Sequence, residues 1–267
     1  MNTPTTFSRP GLKTAVLAAL AAISPLMPNR SLASYDVTAL NSTYSWTFYD
    51  STDYGSPFNN FHAGILDGAA NYSFEWAWNG GDNDVIAGVE INDLANNNYG
   101  WTTMGYNCGE AYNQYNPNDP SAQPSVMFYG WADKANPVEF YIVVVNPPPS
   151  IATVNPGTDT VYGTYRGTYW TTENNQSVHY DIYDQPMIDK PTIWGVSENF
   201  DQYHVYRRPS ATIGQDNTID LNAIHNAIIS SGLTAIGDPS QTVNQRFCTE
   251  TYGDSISGVV NASFWLN

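Results

Sequence analysis

Positive charge is what this sequence has least of. Nine Lys and Arg stand against 25 Asp and Glu in 267 residues, a formal net charge of −16. Such a chain repels polyanions, which argues against nucleic acid or a membrane surface as a partner. It tolerates a neutral substrate such as an uncharged polysaccharide, although solubility alone would also account for the charge. Cysteine is nearly as scarce, with Cys108 and Cys248 only. In an exported chain two cysteines read as one disulfide closing a long loop, the alternative being two separate buried thiols. With four scattered histidines they give no metal-ligand spacing, so no structural zinc is expected. His179, His204 and His225 fall on separate elements and read as packed or surface histidines. No Gly-x-Ser-x-Gly elbow is present to suggest a serine hydrolase. Arg207-Arg208 is too short a basic run for nucleic acid and reads as a strand-end ion-pairing site.

Long apolar runs are missing too. The longest near the start, Ala15 to Ala22, is too short to span a bilayer. It follows Arg9 and Lys13 and leads to Ser31-Leu32-Ala33, a small-x-small pattern. Residues 1–33 therefore read as a signal peptide cleaved before Ser34, the plainer alternative being a disordered tail. The expectation is a secreted, extracellular protein. Without the three basic residues of that segment, six Lys and Arg remain against the 25 acids, a net charge of −19.

What remains, residues 34–267, reads as one domain, since all-β domains reach this length without splitting. Short alternating segments rich in Tyr, Val, Thr and Trp are separated by Gly, Pro, Asn and Asp. Tyr44 to Tyr49, Asn71 to Trp78, Ser125 to Trp131, Val138 to Val145, Tyr162 to Trp170, Val178 to Tyr183, His204 to Arg208 and Gly258 to Leu266 are the clearest. The pattern predicts an all-β fold, a curved sandwich or jelly roll of two antiparallel sheets. One stretch departs from it. Between Asp216 and Gly232 apolar residues recur near helical spacing, predicting a single α-helix of three to four turns. Aromatics make up 14% of the chain, with 19 Tyr and 8 Trp. Such rings stack on sugars, but they also pack cores and suit strands. Asn41, Asn71, Asn175 and Asn261 begin glycosylation sequons.

Two segments carry carboxylates in positions that need explaining. In Val138 to Val145 the alternation puts Val138, Phe140, Ile142 and Val144 on one apolar face, and Glu139 with Tyr141 on the other. In Phe247 to Asp254, Glu250 and Tyr252 again share a face. Each segment alone could hold a solvent-facing Glu. Together they offer the carboxyl pair that glycoside hydrolysis needs, about 5–5.5 Å apart for retention or about 6.5–9.5 Å for inversion.

From these residues outward the chain resembles the family 11 glycoside hydrolases, small endo-1,4-β-xylanases. Ser125-Val-Met-Phe-Tyr-Gly-Trp131 and Asn136-Pro-Val-Glu-Phe-Tyr-Ile-Val143 are similar to the family's nucleophile strand pair. Gly163-Thr-Tyr-Arg-Gly-Thr168, Tyr180-Asp-Ile-Tyr183, the thumb-like Lys190-Pro-Thr-Ile-Trp-Gly195, Asp201-Gln-Tyr-His-Val-Tyr-Arg-Arg208 and Thr249-Glu-Thr-Tyr252 follow in the family's order. The resemblance implies Glu139 as nucleophile and Glu250 as acid/base of a retaining xylanase, a monomer acting on xylan without a cofactor. It implies substrate contacts from Tyr129, Tyr141, Gln202, Tyr252, Pro191 and Ile193. It also implies a stacking aromatic near the N-terminus, Trp46 or else Phe48. Asn83, or Asp82 or Asp84 after a slip of one residue, takes the place of the family's neighbour to the acid/base. Met187 stands where the family's thumb has Arg, and the family's Gly-Lys-Gly-Trp run is missing. Those departures leave two further readings open: a glycan-binding protein that has lost turnover, or a hydrolase of another β-1,4-glycan.

Overall fold

A computed structural model of the chain describes residues 36–39, 44–50, 61–66, 71–79, 85–91, 101–113, 123–133, 135–147, 163–192, 197–251 and 257–266. Over parts of the first strands and at some strand ends, only backbone and register are described. The proposed signal segment lies outside these residues. Leu32–Asn267 forms one compact unit.

The described strands are β1 (Asp36–Ala39), β2 (Tyr44–Asp50), β3 (Phe61–Leu66), β4 (Asn71–Asn79), β5 (Val85–Ile91), β6 (Thr103–Asn113), β7 (Ser125–Ala132) and β8 (Val138–Val145). They continue with β9 (Thr164–Glu173), β10 (Gln176–Pro191), β11 (Ser197–Arg208), β12 (Asp216–Asp220), β13 (Thr242–Thr251) and β14 (Ser257–Leu266). They form a nine-stranded sheet in the order β1-β2-β5-β13-β7-β8-β11-β10-β9 and a five-stranded sheet in the order β12-β6-β14-β4-β3. This is the expected all-β sandwich, with one difference. Among the described pairings, β8 and β11 run parallel. The chain makes β9 and β10 between them, which supplies the long crossover a parallel pair requires.

Strand alternation places the core. Val138, Phe140, Ile142 and Val144 of β8 and Tyr203 and Val205 of β11 enter the main apolar cluster, together with Met104, Tyr106 and Cys108 of β6. The opposite face of the larger sheet carries its own cluster of Met127, Tyr129, Trp131, Tyr141, Val143, Tyr183, Phe200, Tyr206 and Cys248.

Among the described residues there is one α-helix, α1 (Leu221–Ser230). It is shorter than the sequence predicts, because Asp216–Asp220 pairs with β6 as strand β12. Asp220 then caps the helix, accepting from the Ala223 backbone N–H at 3.0 Å. Leu221, Ile224 and Ile228 face the core. Gly232 closes the helix at φ +92°, a conformation that favours glycine. No helix among the described residues is long and apolar enough to cross a membrane.

The expected disulfide does not form. Cys108 and Cys248 are both buried free thiols. Cys108 points into the core from the smaller sheet, whereas Cys248 lies on the far face of the larger one. The backbone of β13 stands between them.

Candidate functional site

Glu139 leaves β8 on the face away from the core and is only 6% exposed. A buried carboxylate needs hydrogen-bond donors, and both oxygens have one. Tyr129 donates from its hydroxyl to Oε1 at 2.6 Å. Gln202 donates from Nε2 to Oε2 at 2.5 Å. Trp131 in turn donates from Nε1 to the Tyr129 oxygen at 2.6 Å. Register explains the arrangement: Glu139 lies opposite Trp131 on β7 and Gln202 on β11, while Tyr129 lies opposite Tyr141 one row along. Donors on both oxygens hold the carboxylate in one orientation and suit its ionised form, which accepts without donating.

Glu250, 3% exposed, occupies the other flank of β7, on β13. It shares the parity of Cys248 and therefore the face of Glu139. It lies opposite Ser125, six residues along β7 from Trp131, so the two carboxylates are staggered along the strands. Tyr129 lies between these positions. Its phenol is held well above the usual tyrosine range, by burial first, then by the charge of Glu139, with a smaller effect from Glu250. It therefore remains a donor at ordinary pH.

Tyr141 is buried beside Tyr129, with ring centroids 5.0 Å apart. Its other neighbour is His204, expected from the sequence as a packed or surface histidine and found packed. His204 stacks on Tyr141 at 4.9 Å and 12° and on Tyr206 at 5.9 Å and 8°. Burial pushes its pKa down to about 4, so the ring is neutral at neutral pH. Arg246 carries no expectation from the sequence. It lies opposite Tyr129, 1% exposed, with its guanidinium carbon 5.4 Å from that ring's centroid. Burial lowers its pKa to about 10, which leaves it cationic at neutral pH. The only signal in the sequence was a charged residue four positions before Glu250, hence on the same face.

Met187 packs against this aromatic face. It also walls a cavity of about 580 Å³ with Pro137, Phe200 and Asp201, next to the start of β8. The strand-end reading of the two arginines holds. Arg207 donates from Nε to Glu173 at 2.8 Å in the core, and Arg208 approaches Asp181 at 3.8 Å.

No family model matches the sequence. Among solved structures, the chain is similar to one from a structural comparison of two major endo-1,4-β-xylanases from Trichoderma reesei. The identity is 21% over 78% of this chain and 94% of that one, with a TM-score of 0.48.

The remaining expected contacts are only partly described. Asn83, Ile193 and Tyr252 lie outside the described residues, and Pro191 is described only as the last residue of β10. Trp46 stands on β2 opposite Val89, a core residue, and Phe48 opposite Ala87. The β2 position in register with Glu250, through Ile86, is Tyr49. Among the described residues no group of His, Cys, Asp and Glu could hold a metal.

Proposed function

We propose that this chain is a secreted, retaining endo-1,4-β-xylanase that cleaves xylan by double displacement. The observation that carries the reading is the Glu139 carboxylate, buried with a donor on each oxygen and accompanied by a second buried carboxylate, Glu250, on the same face. The ordered resemblance to family 11 supports the same assignment. In this mechanism a Glu139 oxygen attacks the anomeric carbon while Glu250 protonates the departing glycosidic oxygen. Glu250 then takes a proton from water, which attacks the glycosyl ester and releases Glu139. Tyr129 and Gln202 hold the nucleophile in line, and Tyr141 contributes a sugar contact. Asn83, Tyr252, Pro191 and Ile193 complete the proposed substrate contacts, whereas the register of Trp46 with the core residue Val89 leaves the stacking position to Tyr49, in register with Glu250. No cofactor takes part, and the enzyme works as a monomer.

The test is release of reducing ends from soluble xylan by purified protein. Glu139→Gln should reduce the rate to background. Tyr129→Phe, which removes one donor from the nucleophile, should lower kcat about 10- to 100-fold. Equal rates for wild type and Glu139→Gln across acid to mildly alkaline pH would end the enzyme reading.

Met187 favours one rival. A thioether in place of a cation near Glu139 weakens electrostatic support for its ionised form, as in a glycan-binding protein without turnover. Retention on insoluble xylan without product release would select that reading. A panel of β-1,4-glycans would expose a hydrolase of different specificity.

A further inference from the structure

Trp170 is the one aromatic side chain among the exposed large hydrophobic residues described, at 64% exposure. A Trp on an edge strand gains little by packing there, so its position calls for a reason. It pairs with His179 on β10, which pairs with Arg208 on β11. A bulge opposite Ile182 and Tyr183 resets the parity of β9. Trp170 and Thr168 consequently emerge on the same side of the sheet as Glu139, while Tyr169 packs on the core.

The ring is held and half-open. His179 lies against it with centroids 4.4 Å apart and planes at 35°. With nearly two thirds of the side chain exposed, the other ring face meets solvent. Hydrogen-bonding groups stand around it. Thr168 donates from Oγ1 to Asp181 at 2.7 Å, and Asp181 lies 3.9 Å from His179 and 3.8 Å from Arg208. An apolar plate bordered by polar groups is what a pyranose requires, since its C–H face stacks while its hydroxyls exchange hydrogen bonds. Asp181 and the net charge of −16 disfavour an anionic ligand.

We infer that Trp170, with Thr168 and Asp181 at its border, forms a second sugar-binding site for a neutral β-1,4-glycan, separate from the groups around Glu139. This rests on the glycan-hydrolase reading. Its role is to hold a distant part of a long polymer, so it matters for polysaccharide and little for short oligosaccharides.

Affinity electrophoresis through gels containing soluble xylan tests the site. Proteins carrying Glu139→Gln are used so that the matrix is not consumed. Trp170→Ala should weaken retention about five- to tenfold, and Trp170→Phe, which keeps a stacking ring, by less than about twofold. Ile213→Ala, a control at another exposed apolar residue, should leave retention unchanged. Thermal melting checks that each variant is folded. If wild type cleaves xylan and Trp170→Ala is retained as strongly as its parent, the second site is overturned and the hydrolase reading stands. If wild type neither cleaves nor is retained by any neutral glycan tested, both fall together.

Discussion

At position 204 an imidazole lies between two phenol rings, two residues from the glutamine that holds Glu139. Its pKa near 4 in the fold lies below the ordinary value of about 6.5. The unfolded chain therefore binds the extra proton first as pH falls. The contribution of neutral His204 to stability is complete above about pH 6.5 and is lost as pH drops towards 4. Its size is on the order of 2–3 kcal/mol. His204→Gln keeps a planar polar side chain and cannot titrate. Urea unfolding at pH 7 and at pH 4.5 should show a smaller acid loss in the variant, by about that amount. Equal losses would mean that the ring protonates without strain. His204 and Arg246 illustrate what single residues conceal in a sequence. A lone histidine or arginine in an apolar strand carries no periodicity. Only its parity relative to Glu139 or Glu250 places it on the floor of the site.

At the scale of elements, β7 links the two carboxylates, and Gly130 lets it do so. A Cβ there would stand 2.2 Å from the Asn244 carbonyl oxygen and 2.6 Å from Phe140 Cζ. The rigid backbone of β13 cannot yield to such a contact. Gly130→Ala should cost about 1–3 kcal/mol, read as a lower urea midpoint with little change in slope. Because Gly130 sits between Tyr129 and Trp131, kcat should fall too, even at temperatures where the variant is folded. Strand β8 could be read from sequence because apolar residues occupy every second position, and its buried face is the one the alternation predicts. The start of α1 could not. Ile219 falls at helical spacing with Ala223, yet hydrogen bonds to β6 hold it in β12. Strands β3, β5 and β6 escaped notice because Gly, Asn and His interrupt their apolar pattern.

Across Leu32–Asn267 no covalent tie spans the two sheets among the described residues. Burial raises the Cys108 thiol to about 12 and the Cys248 thiol further. Both are inert thiols at neutral pH. Reductant should therefore leave the thermal midpoint unchanged. A thiol reagent should count two groups in denaturant and close to none in the native protein. A midpoint that falls by several degrees under reductant would restore the disulfide. The whole-molecule expectation failed here for a reason visible in the strand pattern. Cys248 shares the parity of Glu250, so it had to face away from the core that Cys108 enters.

The two donors that hold Glu139 come from very different distances along the chain. Tyr129 is ten residues away, across the β7–β8 hairpin, whereas Gln202 is 63 residues away, on the parallel strand β11. A hairpin closes in microseconds, but a parallel pairing must first pay the entropy of closing a long loop. Loop closure therefore predicts that Glu139 gains Tyr129 before Gln202. On that order one carboxylate oxygen is held while the other still faces water.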